Sequence, residues 1–192
     1  MGIPKIDLGP MTVEEFYAFT DARPDEEKWE LIDGEPILNA APSDFHQLIL
    51  ANIISALDVE GRRISASWRA IPGIGARISE TSRPEPDVMV LPKRTDRDAR
   101  PRRDTTEAIA MFEIMSPSTA ARDLKWKRIA YASLPALNHY VIVAQDAVDV
   151  VMFARDRDFV EQRYRSPTDT LRLSSLGVSL PLSEFYRDTG LA

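Results

Sequence analysis

Apolar and polar positions along the chain fall into short blocks whose period switches repeatedly between helical and extended spacing. Val13, Phe16 and Tyr17 share one helical face behind Thr12 and Glu15, a capping-box pair, which predicts a short helix starting at Val13 and ended by Pro24 and the acidic residues 25–27. Two short runs, residues 28–32 and 35–38, flank Asp33-Gly34, the dipeptide of tight hairpin turns. Ser43 then opens a helix to about Leu57, and Phe45, Leu48, Ile49, Ile53, Ile54 and Leu57 make it a well-buried one. Residues 64–71 and 74–78 read as strands, and Pro84 and Pro86 interrupt the pattern. Residues 87–91 and 108–115 come next as buried strands, separated by a polar loop over 93–103. Residues 116–119 form a turn with Ser118 or Thr119 as cap, a helix covers about 121–133, and residues 139–144 make a third apolar strand. Residues 148–153 and 159–164 pair as a hairpin, and short fragments remain near Leu171, Leu180 and Phe185. This order predicts an α/β fold: a mixed sheet flanked by helices and further hairpins, with a parallel crossover between residues 87 and 143.

Composition narrows the classes without naming one. At 192 residues, 44% hydrophobic and 28% charged, the chain suits one globular domain over 1–192 with a core large enough to need no staples. The absence of cysteine excludes disulfides, thiolate metal sites and thiol nucleophiles. No apolar run approaches the ~20 residues that span a bilayer, and the N-terminus has no signal-peptide core, so no membrane partner and a cytoplasmic location are expected. A net charge of −6 and a pI near 5.0 argue against a protein that coats nucleic acid, but leave room for a local acidic site that holds a cation.

Two strands each contain a carboxylate with no local reason to be there. Asp87 opens DVMVL and Glu113 interrupts AIAMFEIM. A lone buried carboxylate costs several kcal/mol unless it is paired, protonated or bound to a cation. On consecutive strands the two could converge on a hard divalent cation. The plainer alternatives are a turn cap for Asp87 and an arginine partner for Glu113. On the following helix Asp123, Lys127 and Tyr131 stand at i, i+4 and i+8, one face that could return an ammonium to the carboxylates; the alternative is an exposed Asp–Lys pair. His46, in the first turn of its helix, either caps and packs or reaches a substrate, and His139 reads as structural. No G-x-S-x-G elbow or phosphate-cradling glycine loop accompanies these residues, Gly73 and Gly75 included. The loop over 93–103 carries six basic and two acidic residues, so Arg94, Arg97, Arg102 and Arg103 are candidate phosphate contacts; a solvated loop is the alternative.

Taken in order, WELIDGE, SDFHQ, PEPDVMV, FEIMSPST, DLKWKRIAYASL and HYVIV resemble the Uma-type restriction endonuclease family of the PD-(D/E)XK nuclease superfamily. The resemblance covers about residues 12–153 and implies a restriction-endonuclease-like core there, with 154–192 as a C-terminal extension packed on it. It implies that Asp87 and Glu113, with the backbone carbonyl of Ile114, hold magnesium or manganese. It implies that Glu30 joins the site through a water or a second metal. The superfamily's usual lysine position is Met115 here, so the catalytic lysine would be Lys127 on the next helix, with Lys125 as its rival. The implied activity is metal-dependent hydrolysis of DNA phosphodiester bonds by an endonuclease, with a homodimer as the expected assembly. A non-catalytic binding module on the same fold, for nucleic acid or protein, is the alternative, and a metal-dependent hydrolase of a small phosphorylated substrate is a third reading.

Overall fold

The computed structural model describes residues 9–94, 100–115 and 120–191, the side chains of 120–124 excepted. Helix α1 (Val13–Asp21) starts at the expected capping box: the Thr12 side chain accepts from the Glu15 N–H, and the Glu15 carboxylate accepts from the Thr12 N–H. Strands β1 (Trp29–Ile32) and β2 (Glu35–Leu38) form the expected hairpin. Asp33 and Gly34 both have positive φ, at 50° and 81°, which matches the twist of the strands. A side chain at position 34 would also stand 2.9 Å from Pro10.

Helix α2 (Asp44–Arg63) runs well past the expected end at Leu57. Ion pairs of Arg62 with Asp58 and of Arg63 with Glu60 sustain its last turns, and Gly61 lets the Trp68 ring lie against them. Phe45, expected inside, is exposed, whereas Ile49, Ile53 and Leu57 are fully buried. The longer helix delays the next strand, so β3 is Trp68–Pro72; the expected strand over 74–78 reduces to β4 (Gly75–Ala76). Gly75 is required there, because the Arg83 guanidinium occupies the space a Cβ would need.

The remaining elements are β5 (Val88–Pro92), β6 (Asp104–Thr105), β7 (Ala110–Met115), α3 (Ala120–Ala132), β8 (His139–Ala144), β9 (Val150–Ala154), β10 (Glu161–Tyr164), β11 (Thr170–Leu173), β12 (Val178–Pro181) and α4 (Leu182–Phe185). A six-stranded mixed sheet has the order β10-β9-β8-β7-β5-β3. Within it β7 and β8 pair in parallel, joined by the α3 crossover; the other neighbours are antiparallel. One face of the sheet, with Val88, Val90, Phe112, Val141 and Met152, packs on α2 and on the C-terminal residues Leu171, Leu173, Leu180 and Phe185. The other, with Met89, Met111, Tyr140 and Phe153, packs on Tyr131, Leu134 and Leu137 at the end of α3 and beyond it. Strand alternation puts Glu113 on this second face, level with the helix that comes after it.

Candidate active site

Three pieces of chain meet at one end of the central strands. The β5–β7 register pairs Val88 with Phe112, so one residue further on Asp87 stands across from Glu113. The Ile114 N–H donates to Asp87 Oδ2 at 2.7 Å, and His46 Nε2 lies 3.2 Å from Asp87 Oδ1. His46 arrives there because Ser43 caps α2 by accepting the His46 N–H, which aims the helix's first turn at the edge of the sheet. The β1–β2 hairpin is fastened alongside by Leu31 and Arg83, whose backbones bond reciprocally. This brings Glu30 Oε1 to the Glu85 N–H at 2.7 Å.

Helix α3 supplies the cation that joins these pieces. Lys127 Nζ donates to Glu30 Oε1 at 2.9 Å and to Glu113 Oε1 at 3.0 Å. One turn on, the Tyr131 hydroxyl donates to the same Glu113 oxygen at 2.9 Å. All four side chains are buried. Lys125, two residues before Lys127, is exposed. Trp126 Nε1 donates to Asp33 Oδ2 at 2.9 Å and ties the helix to the hairpin turn.

Burial pushes the Glu113 carboxyl up to about 8, reinforced by the negative charges of Asp87 and Glu30 and opposed by Lys127. Burial alone would pull the Lys127 ammonium down, but Glu113 and Glu30 outweigh it and hold the amine well above its ordinary value. The Tyr131 phenol is pushed up by burial and then by Glu113 and Glu30, so it remains a donor. Lys127 therefore keeps its positive charge between these carboxyl groups.

These groups open onto a cleft of about 650 Å³. Glu30, Glu85, Asp87, Glu113, Lys28, Lys127 and His46 line it, with the neutral groups Trp29, Asn39, Ser43, Gln47 and Gln145. Ser43 Oγ donates to Gln145 Oε1 across the cleft wall at 3.0 Å. At the buried end, three carboxylates, counting Asp87, face one ammonium. That excess of negative charge on hard oxygen donors suits a divalent cation of the magnesium class. Among the described residues no group of three or more His, Cys, Asp or Glu is placed to hold a metal ion together.

The sequence profile of Uma2, a family described as "Putative restriction endonuclease", matches residues 13–183. The chain belongs to the Uma2 family. It is 34% identical over 112 residues to the uncharacterized protein slr1290 of Synechocystis sp. (strain ATCC 27184 / PCC 6803 / Kazusa), a match covering 56% of this chain and 55% of that protein. The match thus spans about half the length of this curated relative. In three dimensions the chain is similar to a putative nuclease belonging to DUF820 from Anabaena variabilis ATCC 29413, with a TM-score of 0.76 and 15% identity over 92% of this chain and 98% of that one. That likeness establishes a shared fold.

Of the residues singled out from sequence, Asp87, Glu113, Lys127, Glu30, Ile114 and His46 all line the cleft. The described candidate arginines of the polar loop, Arg94, Arg102 and Arg103, do not. Arg102 pairs with Glu107, and Arg103 pairs with Asp21 and stacks on Tyr17. Arg94 donates to the Arg100 carbonyl, and Arg97 lies outside the described residues, as do Ser118 and Thr119. His139 is buried, and its Nε2 accepts the Ser175 N–H, in keeping with a structural role. The cleft-wall residues Asn39 and Gln145 carry no mark in the sequence. No spacing signal could have found them, since Ser43 and Gln145, which meet here, are 102 residues apart.

Proposed function

We propose that this chain is a cation-dependent endonuclease that hydrolyses DNA phosphodiester bonds at the Asp87–Glu113 edge of the cleft. The observation that carries this reading is the Lys127 ammonium held by Glu113 and Glu30 in the wall of the cleft that Asp87 also lines. Asp87 and Glu113 would hold magnesium or manganese, with the Ile114 carbonyl as a further donor by superfamily analogy. When bound, the cation supplies a water of lowered pKa and positive charge at the scissile phosphate.

The protein's own groups do the rest. Asp87 Oδ2 accepts the Ile114 N–H and its Oδ1 lies against His46 Nε2, which limits its direction before any ligand arrives. Glu30 accepts from Lys127 as Glu113 does, and so helps keep it in place. Two of the three ammonium protons go to these carboxylates, and among the described residues the third has no partner. That proton can bond a phosphate oxygen and offset charge in the transition state. Met115 stands at the superfamily's usual lysine position, so Lys127 is the residue on which activity depends.

Incubation with plasmid, linear and single-stranded DNA in the presence of magnesium or manganese tests the reading. Cleavage by the unaltered protein is expected, with loss of it in Asp87→Ala and Lys127→Met. Cleavage that persists in Asp87→Ala would overturn the assignment. Manganese binding without any cleavage would favour a non-catalytic nucleic-acid-binding module, a reading that the acidic pI of 5.0 and Met115 support.

A further inference from the structure

We infer that Tyr131 is a positioning residue for Glu113, its hydroxyl selecting which carboxylate oxygen faces a divalent cation in the cleft. This rests on the reading that Glu113 holds such a cation. Tyr131 is fully buried and is not part of the cleft wall, so it touches neither a substrate nor a cation directly. Its hydroxyl donates to Glu113 Oε1 at 2.9 Å, and Lys127 donates to that same oxygen at 3.0 Å. Among the described residues, every side-chain hydrogen bond to the Glu113 carboxylate falls on Oε1. Glu113 lines the cleft, and its Oε2 is the oxygen left for a ligand there.

Two donors on one oxygen do what one cannot. The Lys127 ammonium sits at the end of a flexible stem and is shared with Glu30, so by itself it would tolerate rotation of the Glu113 carboxylate about its last bond. The Tyr131 ring has no such freedom. It lies edge-on against Tyr140, with centroids 5.0 Å apart at 74°, within the apolar cluster under α3. The spacing of Lys127 and Tyr131 by four residues brings both donors to Glu113 from one helix face. Asp87 is oriented by a separate pair, His46 and the Ile114 N–H, so the two carboxylates are aimed independently.

Tyr131→Phe tests this, because it removes the hydroxyl and keeps the ring and its stacking. Manganese is titrated by calorimetry into the unaltered protein, Tyr131→Phe and Asp87→Ala, with thermal unfolding of each followed without metal. The expected result is manganese affinity weakened about 10- to 100-fold in Tyr131→Phe while the protein still unfolds in one cooperative transition. In DNA cleavage, the manganese concentration for half-maximal rate should rise by a similar factor, with most of the rate recovered at saturating metal. A merely structural role would not produce that split. Affinity in Tyr131→Phe within about twofold of the unaltered protein, with Asp87→Ala losing binding, overturns this inference and leaves the functional reading standing. Absence of manganese binding by the unaltered protein overturns both.

Discussion

Lys127 is the residue whose removal should reveal most about the site. It neutralises parts of two buried carboxylates at once, and its loss leaves Glu30 and Glu113 facing each other without a cation. Lys127→Met keeps the length of the side chain and removes the charge. Breaking a buried pair of this kind costs about 3–5 kcal/mol. The orphaned carboxylates can escape by binding protons, so the loss should be smaller near pH 5 than near pH 8 when read by urea denaturation. An equal loss at both pH values would mean that the lysine is not the partner of these acids. Adding Glu113→Gln to Lys127→Met should restore part of the stability, because one of the two stranded charges is gone. At this scale the sequence was informative. Asp87 and Glu113 stood out as charges inside apolar strands, and Lys127 and Tyr131 as a helical pair. Glu30 as the second partner of Lys127 was not legible from residue spacing, since 97 residues separate them and no local rule connects the two.

The N-terminus of α2 shows how an element carries a side chain into the site. Ser43 accepts the His46 N–H and also bonds Gln145, so it both starts the helix and ties it to the segment after β8. Ser43→Ala should cost about 1 kcal/mol in chemical denaturation. Its larger effect should be on the site, through freer motion of His46 against Asp87, read as broadened His46 ring resonances in NMR spectra. A variant with unchanged stability and an unchanged His46 signal would remove the cap from this account. The strand carrying His139 supplies a pH test outside the site. Burial holds this imidazole below its ordinary value of 6.5, and in neutral form its Nε2 accepts the Ser175 N–H. The unfolded chain therefore binds the proton more readily. Its contribution to stability is fully present above pH 6.5 and is lost as pH falls from 6.5 through the lower folded value. His139→Asn should flatten the slope of stability between about pH 5 and 7, and an unaltered slope in the variant would count against the assignment. The element boundaries that sequence misplaced have simple causes. Ion pairs within the last turns of α2 and the packing of Trp68 on Gly61 carried the helix to Arg63, at the expense of the strand expected to begin at Ile64.

For the molecule as a whole, charge decides how DNA could approach. The net charge is −6, and the cleft wall holds four carboxylates against two lysines. Phosphates should be repelled from the cleft until a cation is bound. DNA affinity measured by fluorescence anisotropy should therefore rise on adding calcium or manganese, and Asp87→Ala should abolish the rise. Metal-independent binding of equal strength would place the DNA contact elsewhere on the surface. Arg102 and Arg103 were candidate phosphate contacts, and the reason they do not line the cleft is tertiary. Glu107 and Asp21 take up Arg102 and Arg103, and a count of basic residues along the chain cannot foresee those partners. Among the described residues no helix is long and apolar enough to cross a membrane.

Local chemistry was enough to determine the capped helices, the Asp33-Gly34 hairpin, the apolar strands and the two carboxylates that stand out in them. Each depends on residues within a few positions of one another, where steric and hydrogen-bonding rules act directly. Only the tertiary structure decided which oxygen meets which donor. The β5–β7 register sets Asp87 opposite Glu113, the crossover helix brings Lys127 and Tyr131 back over that pair, and the hairpin delivers Glu30 from the far side. Asp87 and Glu113, isolated charges along the chain, thus came to line one cleft, because packing brings together groups that the chain keeps far apart.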